Sequence, residues 1–419
     1  MSPAKAKRLP PDLDNILRRG VIEIIPQQEF VDALASGRKL RLKLGLDPSK
    51  PDLHIGHAVL LRKLRRLQEL GHQVVLIVGD WTAQIGDPSG QSITRPMLTA
   101  DEVKANAETY MRQFFHVVDR EKTEVRWQSE WFGDFTLEDV VRLAGRFTVA
   151  QMLQRDDFRQ RFEAHKPLGI HELLYPLLQA HDSVVIEADV EFGGSDQRFN
   201  LLVGRELQEE LGQRPQVCFI MHLLVGTDGA QKMSKSLGNT IDLEDPPHEQ
   251  YGKMMSIPDS ALLDYLELTT DIPDEELAFI RKQLEERAVN PMVVKKRLAR
   301  DIVSQFHGDA AAQEAETEFE RAYQRHEPPT EATDARVKRS SDATDGQLVV
   351  DLSQLLPEHG LVPSKAEARR LIRQGGVEVD GVKVTADDAY SLVVRNGTMI
   401  RVGKHRFLRI VDADAETTP

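Results

Sequence analysis

The sequence predicts an α/β protein built on a doubly wound parallel sheet, followed by a helical domain and a small α+β module. Three observations predict the sheet. Apolar residues alternate at Leu40, Leu42 and Leu44, the period of two that marks a strand. From His57 onward they fall at Val59, Leu60, Leu61, Leu64, Leu67 and Leu70, a helical spacing that closes at Gly71. Val74 to Val78 then reads as a second, buried strand. Strand, helix, strand is the unit from which parallel sheets are assembled.

The bulk properties agree with that class. A chain of 419 residues is long enough for two or three domains, and 40% hydrophobic with 29% charged residues excludes bulk disorder. The single cysteine, Cys218, excludes a disulfide within the chain. It lies in the apolar run Val217 to Met221 and reads as a buried strand residue, not a nucleophile or ligand. The basic N-terminus lacks the apolar stretch of a secretory signal, and no run of about 18 apolar residues occurs, so the expectation is a cytoplasmic protein with no membrane span.

Along the chain, the first strand runs into a loop from Gly45 to Pro51. Residues from about 91 to 170 read as a mostly helical insertion, with Thr99 and Glu102 in a capping-box pattern. The runs Val184 to Val190 and Val217 to Met221 supply further strand candidates, so the sheet domain is assigned to residues 1–240. Residues 241–325 carry helical periodicity and the basic group Lys295, Lys296, Arg297 and Arg300. Residues 326–347 are polar and without periodicity, the composition of a connector. Residues 348–413 form the last module and 414–419 a tail. Between 350 and 412 the chain carries ten Lys or Arg against eight Asp or Glu, a net of +2, whereas the whole carries −13. An acidic total argues against nonspecific nucleic-acid binding through an overall positive coat and leaves room for a local basic face.

Four features carry chemistry. His54-Ile55-Gly56-His57 sits between a strand and a helix, where backbone N–H groups and the helix dipole favour anions such as phosphate. Gly56 removes a side chain where a nucleotide could approach. Alone, the pattern also suits helix-cap residues or half of a metal site. Lys232-Met233-Ser234-Lys235-Ser236, a glycine-flanked loop with two ammonium groups, suits a clamp for charge growing on a triphosphate; its plainer reading is a solvated basic loop. Tyr175, Gln179 and Asp182 fall at about 0°, 40° and −20° around a helix, one face that could line one pocket, provided Pro176 lies in the first turn. Gly193-Gly194-Ser195-Asp196-Gln197 follows a strand candidate, where open α/β sheets bind ligands, although a tight surface turn has the same composition.

HIGH and KMSKS together, in this order and well over a hundred residues apart, resemble the signature of the class I aminoacyl-tRNA synthetases. Across essentially the whole chain the sequence is similar to the bacterial tyrosyl-tRNA synthetases. The likeness runs through LGLDPSKPDLHIGH, GDWTAQIGDPSG, YPLLQAHD, EFGGSDQRFN and SKAEARRLIRQGGVEVDG. The resemblance implies a Rossmann-like catalytic domain that joins L-tyrosine to tRNA(Tyr) in two steps, with ATP as substrate, Mg2+ carried in on ATP rather than held in a protein cage, and a homodimer. It implies that His54, His57, Lys232 and Lys235 act on the triphosphate. Gly45, Asp47, Ser49, Gly56, Gly194 and Asp196 would join Lys235 around ATP. Asp182 would accept the substrate phenol, Asp87, Tyr175 and Gln179 would hold its ammonium group, and Gln197 would lie near its carboxylate.

Two positions depart from the family pattern. Where many bacterial members have a tyrosine two residues before the loop glycine, this chain has Lys43; where many have a glutamine two residues before the glycine pair, it has Glu191. Lys43 is similar to the pattern of a second bacterial subgroup. Neither family role is carried onto these two residues.

In the last module, Ser364 and Glu367 form a capping-box pattern. On the helix that follows, Lys365, Arg369, Arg373 and Arg370 fall at about 0°, 40°, 80° and 140°, apart from Leu371, Ala368 and Ile372 at about 240°, 300° and 340°. Gly375-Gly376 stops the helix, and Val377 to Val384 reads as a hairpin turning at Asp380-Gly381. A basic helix with a tight hairpin resembles the small RNA-binding module first seen in a small-subunit ribosomal protein, and the resemblance implies that Lys365, Arg369, Arg370 and Arg373 would contact tRNA; the plainer reading is a solvated basic helix. The competing readings are another HxGH adenylate-forming ligase, an RNA-binding protein without catalysis, and a tryptophan enzyme. Asp182 with Tyr175 and Gln179 disfavours the last.

Overall fold

A computed structural model describes residues 11–49, 52–89, 98–321, 333–338, 347–384, 389–403 and 406–413. The 414–419 tail, most of the 326–347 segment and the first residues of the 91–170 insertion lie outside them. The chain divides into two compact units, Met1–Gln313 and Glu314–Pro419.

The first unit is organised by a six-stranded sheet. Its strands are β1 (Val21–Ile25), β2 (Arg41–Leu46), β3 (Gln73–Val78), β4 (Thr123–Trp127), β5 (Val190–Gly194) and β6 (Val217–Met221), in the order β1-β6-β5-β2-β3-β4. All neighbours are parallel except β1, which pairs antiparallel with β6 at one edge. From β2 the chain builds outward through β3 and β4; it then returns to β5 and builds the other way. The order therefore reverses between β2 and β5, and in such sheets ligands bind beyond the carboxyl ends of the strands at that reversal. Leu42, Leu44, Val74, Ile77, Phe192 and Phe219 are all buried, as strands covered on both faces require.

The crossover from β2 to β3 is the helix Ile55–Glu69, which buries Ile55, Ala58, Leu61, Leu64 and Leu67 along one stripe and ends before Gly71, whose φ is 95°. Thr99 and Glu102 form the expected capping box on the helix Ala100–Phe114.

Three expectations are corrected. Val184 to Val190 is not a strand: Val184 and Val185 finish the helix Ile170–Val185, and β5 begins only at Val190. A short apolar run reads alike as buried helix or buried strand. Pro176 lies in the second turn of that helix, not the first, so the helix tolerates an interior proline. The 91–170 segment, read as a mostly helical insertion, also contains β4, an edge strand of the sheet.

Beyond β6 the first unit continues as helices at Pro247–Ser256, Leu262–Thr269, Asp274–Glu285 and Pro291–His307, packed through Tyr251, Met254, Tyr265, Leu298 and Ile302.

The second unit contains β7 (Thr333–Val337), β8 (Gln347–Val350), β9 (Val377–Val379), β10 (Val382–Lys383), β11 (Leu392–Arg395), β12 (Met399–Val402) and β13 (Arg406–Asp412). Five of these pair in the order β10-β9-β12-β13-β7, and β11 pairs with β8. β7 falls inside the segment read as a connector: Thr333–Val337 runs parallel to β13 and buries Ala335 in the unit's core. Asp380 (φ 46°) and Gly381 (φ 81°) make the predicted β9–β10 turn, both central residues in the left-handed region that a two-residue hairpin of this type requires.

Candidate active site

The reversal point between β2 and β5 places Gly45 and Asp47 on one side and Gly194 and Asp196 on the other. The helix Ile170–Val185 presents Tyr175, Gln179 and Asp182 to this region from one face.

Asp182 is buried with one donor on each oxygen, which leaves acceptor capacity on both: Oδ2 accepts from Gln128 Nε2 at 2.8 Å and Oδ1 from Trp131 Nε1 at 3.1 Å. Burial pushes its carboxyl up to about 7, against the pull of Lys43 and of these donors. The Tyr175 hydroxyl donates to Asp47 Oδ2 at 2.7 Å, while Thr82 Oγ1 donates to Asp47 Oδ1 at 2.7 Å. Burial and the neighbouring Asp47 hold the Tyr175 phenol well above its ordinary range, so it stays a neutral donor. Gly79 is required here, because a Cβ on it would lie 2.1 Å from Asp47 Oδ1.

Asp87, Gln179 and Gln197 converge through a fourth side chain that the sequence did not single out. Asn200 Nδ2 donates to Gln197 Oε1 at 2.9 Å and to Gln179 Oε1 at 3.0 Å, and Gln197 Nε2 donates to Asp87 Oδ2 at 2.8 Å. Arg155, buried over the Phe158 ring, donates to Asn200 Oδ1 and to Ser89 Oγ. Asn200 lies three residues beyond Gln197 and so shares its helix edge, a spacing visible in the sequence. Gln128 and Trp131, three residues apart at the helix Ser129–Phe132, share an edge in the same way, whereas Thr82 and Arg155 come from other segments and leave no comparable signal.

The two departures from the family pattern meet. Lys43 on β2 is in register with Glu191 on β5, and Lys43 Nζ lies 2.9 Å from Glu191 Oε1 with the two side chains 0% and 1% exposed. Lys43 also donates to the Gln179 carbonyl and to Ser183 Oγ, each at 2.7 Å.

HIGH and KMSKS are in contact. His54 caps the helix Ile55–Glu69 and bridges to Asp242, and the Ile55 N–H donates to the Ile241 carbonyl at 2.9 Å. A Cβ on Gly56 would sit 2.9 Å from His54 Nδ1 and 3.6 Å from Met233 Cβ, so the glycine lets the two motifs close on each other. Lys235 pairs with Asp242 and, at 3.3 Å, with Asp52; Lys232 pairs with Asp196 at 2.7 Å. The His54 and His57 rings are 3.9 Å apart between centroids. Burial, helped by the nearby Lys235 ammonium, lowers His54 well below its ordinary value and takes His57 to about 4 against the opposing backbone bond and Asp242, so both are neutral near pH 7. His57 Nδ1 accepts from the His54 backbone N–H at 3.2 Å, which leaves the His57 proton on Nε2 as a donor.

Gly45 borders open space: a Cβ on it would meet no atom within 4 Å. A Cβ on Gly194 would meet Leu223 Cδ2 at 2.4 Å. The Ser49 N–H donates to the Asp47 carbonyl, which folds that loop tightly beside the carboxylate.

In the second unit, the helix Lys365–Arg373 begins at Ser364, whose Oγ accepts from the Glu367 N–H at 3.2 Å, and buries Ala368 and Ile372. Lys365, Arg369, Arg370 and Arg373 are exposed; Arg370 pairs with Glu367, and the Arg369 guanidinium stands 5.8 Å from the Tyr390 ring centroid.

Residues 35–324 match the family described as tRNA synthetases class I (W and Y), and residues 352–389 match the S4 domain. The chain is 56% identical over 399 residues to the tyrosine–tRNA ligase of Dehalococcoides mccartyi, covering 95% of this chain and 98% of that one. It is 48% identical over 401 residues to that of Thermotoga maritima, covering 96% and 98%. Its fold is shared with a solved tyrosyl-tRNA synthetase complexed with L-tyrosine from Archaeoglobus fulgidus, at a TM-score of 0.59 and 22% identity over 73% of this chain and 99% of that one. Matched along nearly all its length by relatives about half identical to it, the chain belongs to the bacterial tyrosyl-tRNA synthetases, within the class I aminoacyl-tRNA synthetases.

Proposed function

We propose that the site activates L-tyrosine with ATP and passes it to tRNA(Tyr) through side chains in these roles. The observation that carries the reading is the contact of HIGH with KMSKS in the same unit as a buried carboxylate, Asp182, on the helix that faces the β2–β5 reversal. The tyrosine carboxylate oxygen attacks the α-phosphorus of ATP, the bond to the bridging oxygen of the β-phosphate breaks, and pyrophosphate leaves. The enzyme supplies position and fixed charge. His54 and His57, neutral, donate to phosphate oxygens and take no proton from substrate. Lys232 and Lys235 transfer from their carboxylate partners to the departing pyrophosphate. Gly45, Ser49, Gly56 and Gly194 leave room and N–H groups for the nucleotide, Asp47 borders both substrates, and Asp196 accepts from the ribose hydroxyls. Magnesium arrives as part of the ATP substrate, on phosphate oxygens.

Asp182 accepts the substrate phenol; a phenylalanine there would leave a buried acceptor short of a partner, the basis on which such sites reject the smaller ligand, and this enzyme type is the standard illustration of that effect. Asp87, Tyr175 and Gln179 take the ammonium group and Gln197 borders the carboxylate. In the second step the terminal ribose hydroxyl of tRNA attacks the mixed anhydride carbonyl and AMP leaves. Lys365, Arg369, Arg370 and Arg373 bind the tRNA backbone, in the cytoplasm where charged tRNA is used. The working unit is a homodimer: Leu137, Val141, Val149, Phe162 and Ile170 on the 129–170 helices are strongly exposed apolar residues, the kind of surface a second copy covers.

The test is pyrophosphate exchange into ATP with each of the twenty amino acids in turn. Tyrosine is the expected substrate; preference for any other amino acid overturns the pocket assignment.

A further inference from the structure

We propose that the buried Lys43–Glu191 pair is a positioning device that fixes which end of the Gln179 amide faces the substrate ammonium group. The proposal rests on the assignment of Gln179 to that group, and the experiment below separates the two.

An amide can present either its oxygen or its nitrogen, and only its partners decide which. Glu191 is an acceptor at both oxygens. Its Oε1 receives Lys43 Nζ at 2.9 Å and Gln179 Nε2 at 3.0 Å, while Oε2 faces Gln216 Nε2 and Ser183 Oγ. The Gln179 nitrogen is therefore drawn to Glu191, and its oxygen turns the opposite way, to Asn200 Nδ2 at 3.0 Å. Asn200 in turn reaches Gln197, and Gln197 reaches Asp87, so Gln179 Oε1 belongs to the same hydrogen-bond chain as the Asp87 carboxylate. An ammonium group needs acceptors, and this arrangement supplies an oxygen where a flipped amide would supply a second set of N–H donors.

Lys43 makes the carboxylate tenable. A lone buried anion at position 191 would be costly, whereas the pair is neutral, set by the parallel register of β2 and β5, and hydrogen-bonded at each Lys43 proton: to Glu191, to the Gln179 carbonyl and to Ser183. Lys43 thus grips Gln179 by its backbone while Glu191 grips the same residue by its side chain. The two departures from the family pattern are one feature, and neither residue touches substrate.

The test compares the wild-type full-length enzyme with Glu191→Gln, the double variant Lys43→Met with Glu191→Met, and Gln179→Ala. The measurements are KM and kcat for tyrosine in pyrophosphate exchange, and the inhibition constant of 3-(4-hydroxyphenyl)propanoate, which is tyrosine without its amino group. The double variant replaces a buried ion pair by apolar chains of similar length, an exchange that folded proteins commonly accept, so it stays informative where a single lysine or glutamate deletion would leave an unpaired charge. It should raise KM for tyrosine roughly tenfold, the loss of about one well-placed hydrogen bond to a charged group. kcat and the inhibition constant of the amine-free analogue should stay within about twofold. Glu191→Gln leaves the buried Lys43 ammonium without its counter-charge and sets an NH2 against Gln216 Nε2, so it should raise KM for tyrosine at least as far as the double variant does. An unchanged KM in the double variant, or a parallel rise in KM and in the inhibition constant of the analogue, overturns the proposal and leaves the pair a general support of the fold. Gln179→Ala serves the other question. If it too leaves KM for tyrosine unchanged, the ammonium assignment itself has failed.

Discussion

Lys232 Nζ donates to Asp196 Oδ2 at 2.7 Å, tying the KMSKS loop to the turn after β5. In the proposed reaction the two side chains serve different parts of one nucleotide, phosphate and ribose, so ATP separates them and gives each a new partner. The pair is partly exposed, and solvent screens it, so it is a modest restraint that a triphosphate readily outcompetes.

Lys232→Ala should therefore leave tyrosine binding within about twofold by equilibrium dialysis while lowering kcat for pyrophosphate exchange on the order of a hundredfold, the usual scale for removing one donor to developing charge. Loss of tyrosine affinity in step with kcat would mean that Lys232 supports the pocket instead of the phosphates.

The histidine pair predicts a flat pH response above neutrality. With His57 held to about 4 and His54 also well below its ordinary value by burial, neither imidazole changes charge between pH 6 and 9, and the exchange reaction should show no ionisation from them there. The effect on stability has the opposite window. The unfolded chain takes up a proton on each histidine near 6.5, which the folded chain refuses until about 4 for His57. Stability should fall as pH drops from about 6.5 toward 4, and His57→Asn should flatten that part of a denaturant-midpoint curve. An NMR titration of the His57 ring with a midpoint above 6 would contradict the geometry.

Much of this site was legible because its chemistry sits in short contiguous motifs. HIGH and KMSKS could be paired by order and spacing, and Tyr175, Gln179 and Asp182 by helical angle, without knowing the sheet. What escaped was whatever depends on contacts between distant segments. Val184 to Val190 misled because Val184 and Val185 end one element while Val190 opens the next, with no break in hydrophobicity. β4 escaped because the alternation of Val125 and Trp127 with Glu124 and Arg126 spans only five half-buried residues of an edge strand, within otherwise helical sequence. β7 escaped because Ala335 and Val337, which meet the core, are a single short alternation inside a long polar stretch. Lys43 and Glu191 each look like an isolated charge in an apolar strand. Only the β2–β5 register makes them a pair.

Asp182 sets a second pH window. Burial raises its carboxyl to about 7, so in the free enzyme a sizeable fraction is protonated at pH 6 and little at pH 8. A charged carboxylate is the stronger acceptor for a phenol. The preference for tyrosine over phenylalanine, read as the ratio of kcat/KM in pyrophosphate exchange, should therefore grow as pH rises from 6 to 8. Because the folded chain holds this proton more tightly than the unfolded one, whose ordinary value is 3.8, the same group stabilises the fold at low pH and loses that contribution as pH rises through about 7. Asp182→Asn should cut kcat/KM for tyrosine at least about a hundredfold and remove the pH trend, since a buried acceptor serving a specific hydroxyl carries that scale of discrimination. A ratio independent of pH in the wild-type enzyme would place the phenol elsewhere.

The basic helix Lys365–Arg373 predicts effects confined to the second step. Its four cations are not equivalent. Arg370 is already paired with Glu367 through two hydrogen bonds, and Arg369 lies over the exposed Tyr390 ring, whereas among the described residues Lys365 and Arg373 make single long hydrogen bonds, to Gln354 Oε1 and to the Arg369 carbonyl, at 3.3 Å each. A cation already engaged with a carboxylate gains less from a phosphate. Lys365→Gln and Arg373→Gln should therefore weaken tRNA binding more than Arg370→Gln does, and each should reduce the slope of log affinity against log salt by about 0.7 to 0.9, one phosphate contact's share. Tyrosine-dependent pyrophosphate exchange without tRNA should be unchanged in all three. Filter binding of tRNA across a salt series, beside the exchange assay, checks both halves: a uniform loss across the three variants would show that the Arg370–Glu367 pair opens freely, and a loss of exchange would show that the helix does more than hold RNA.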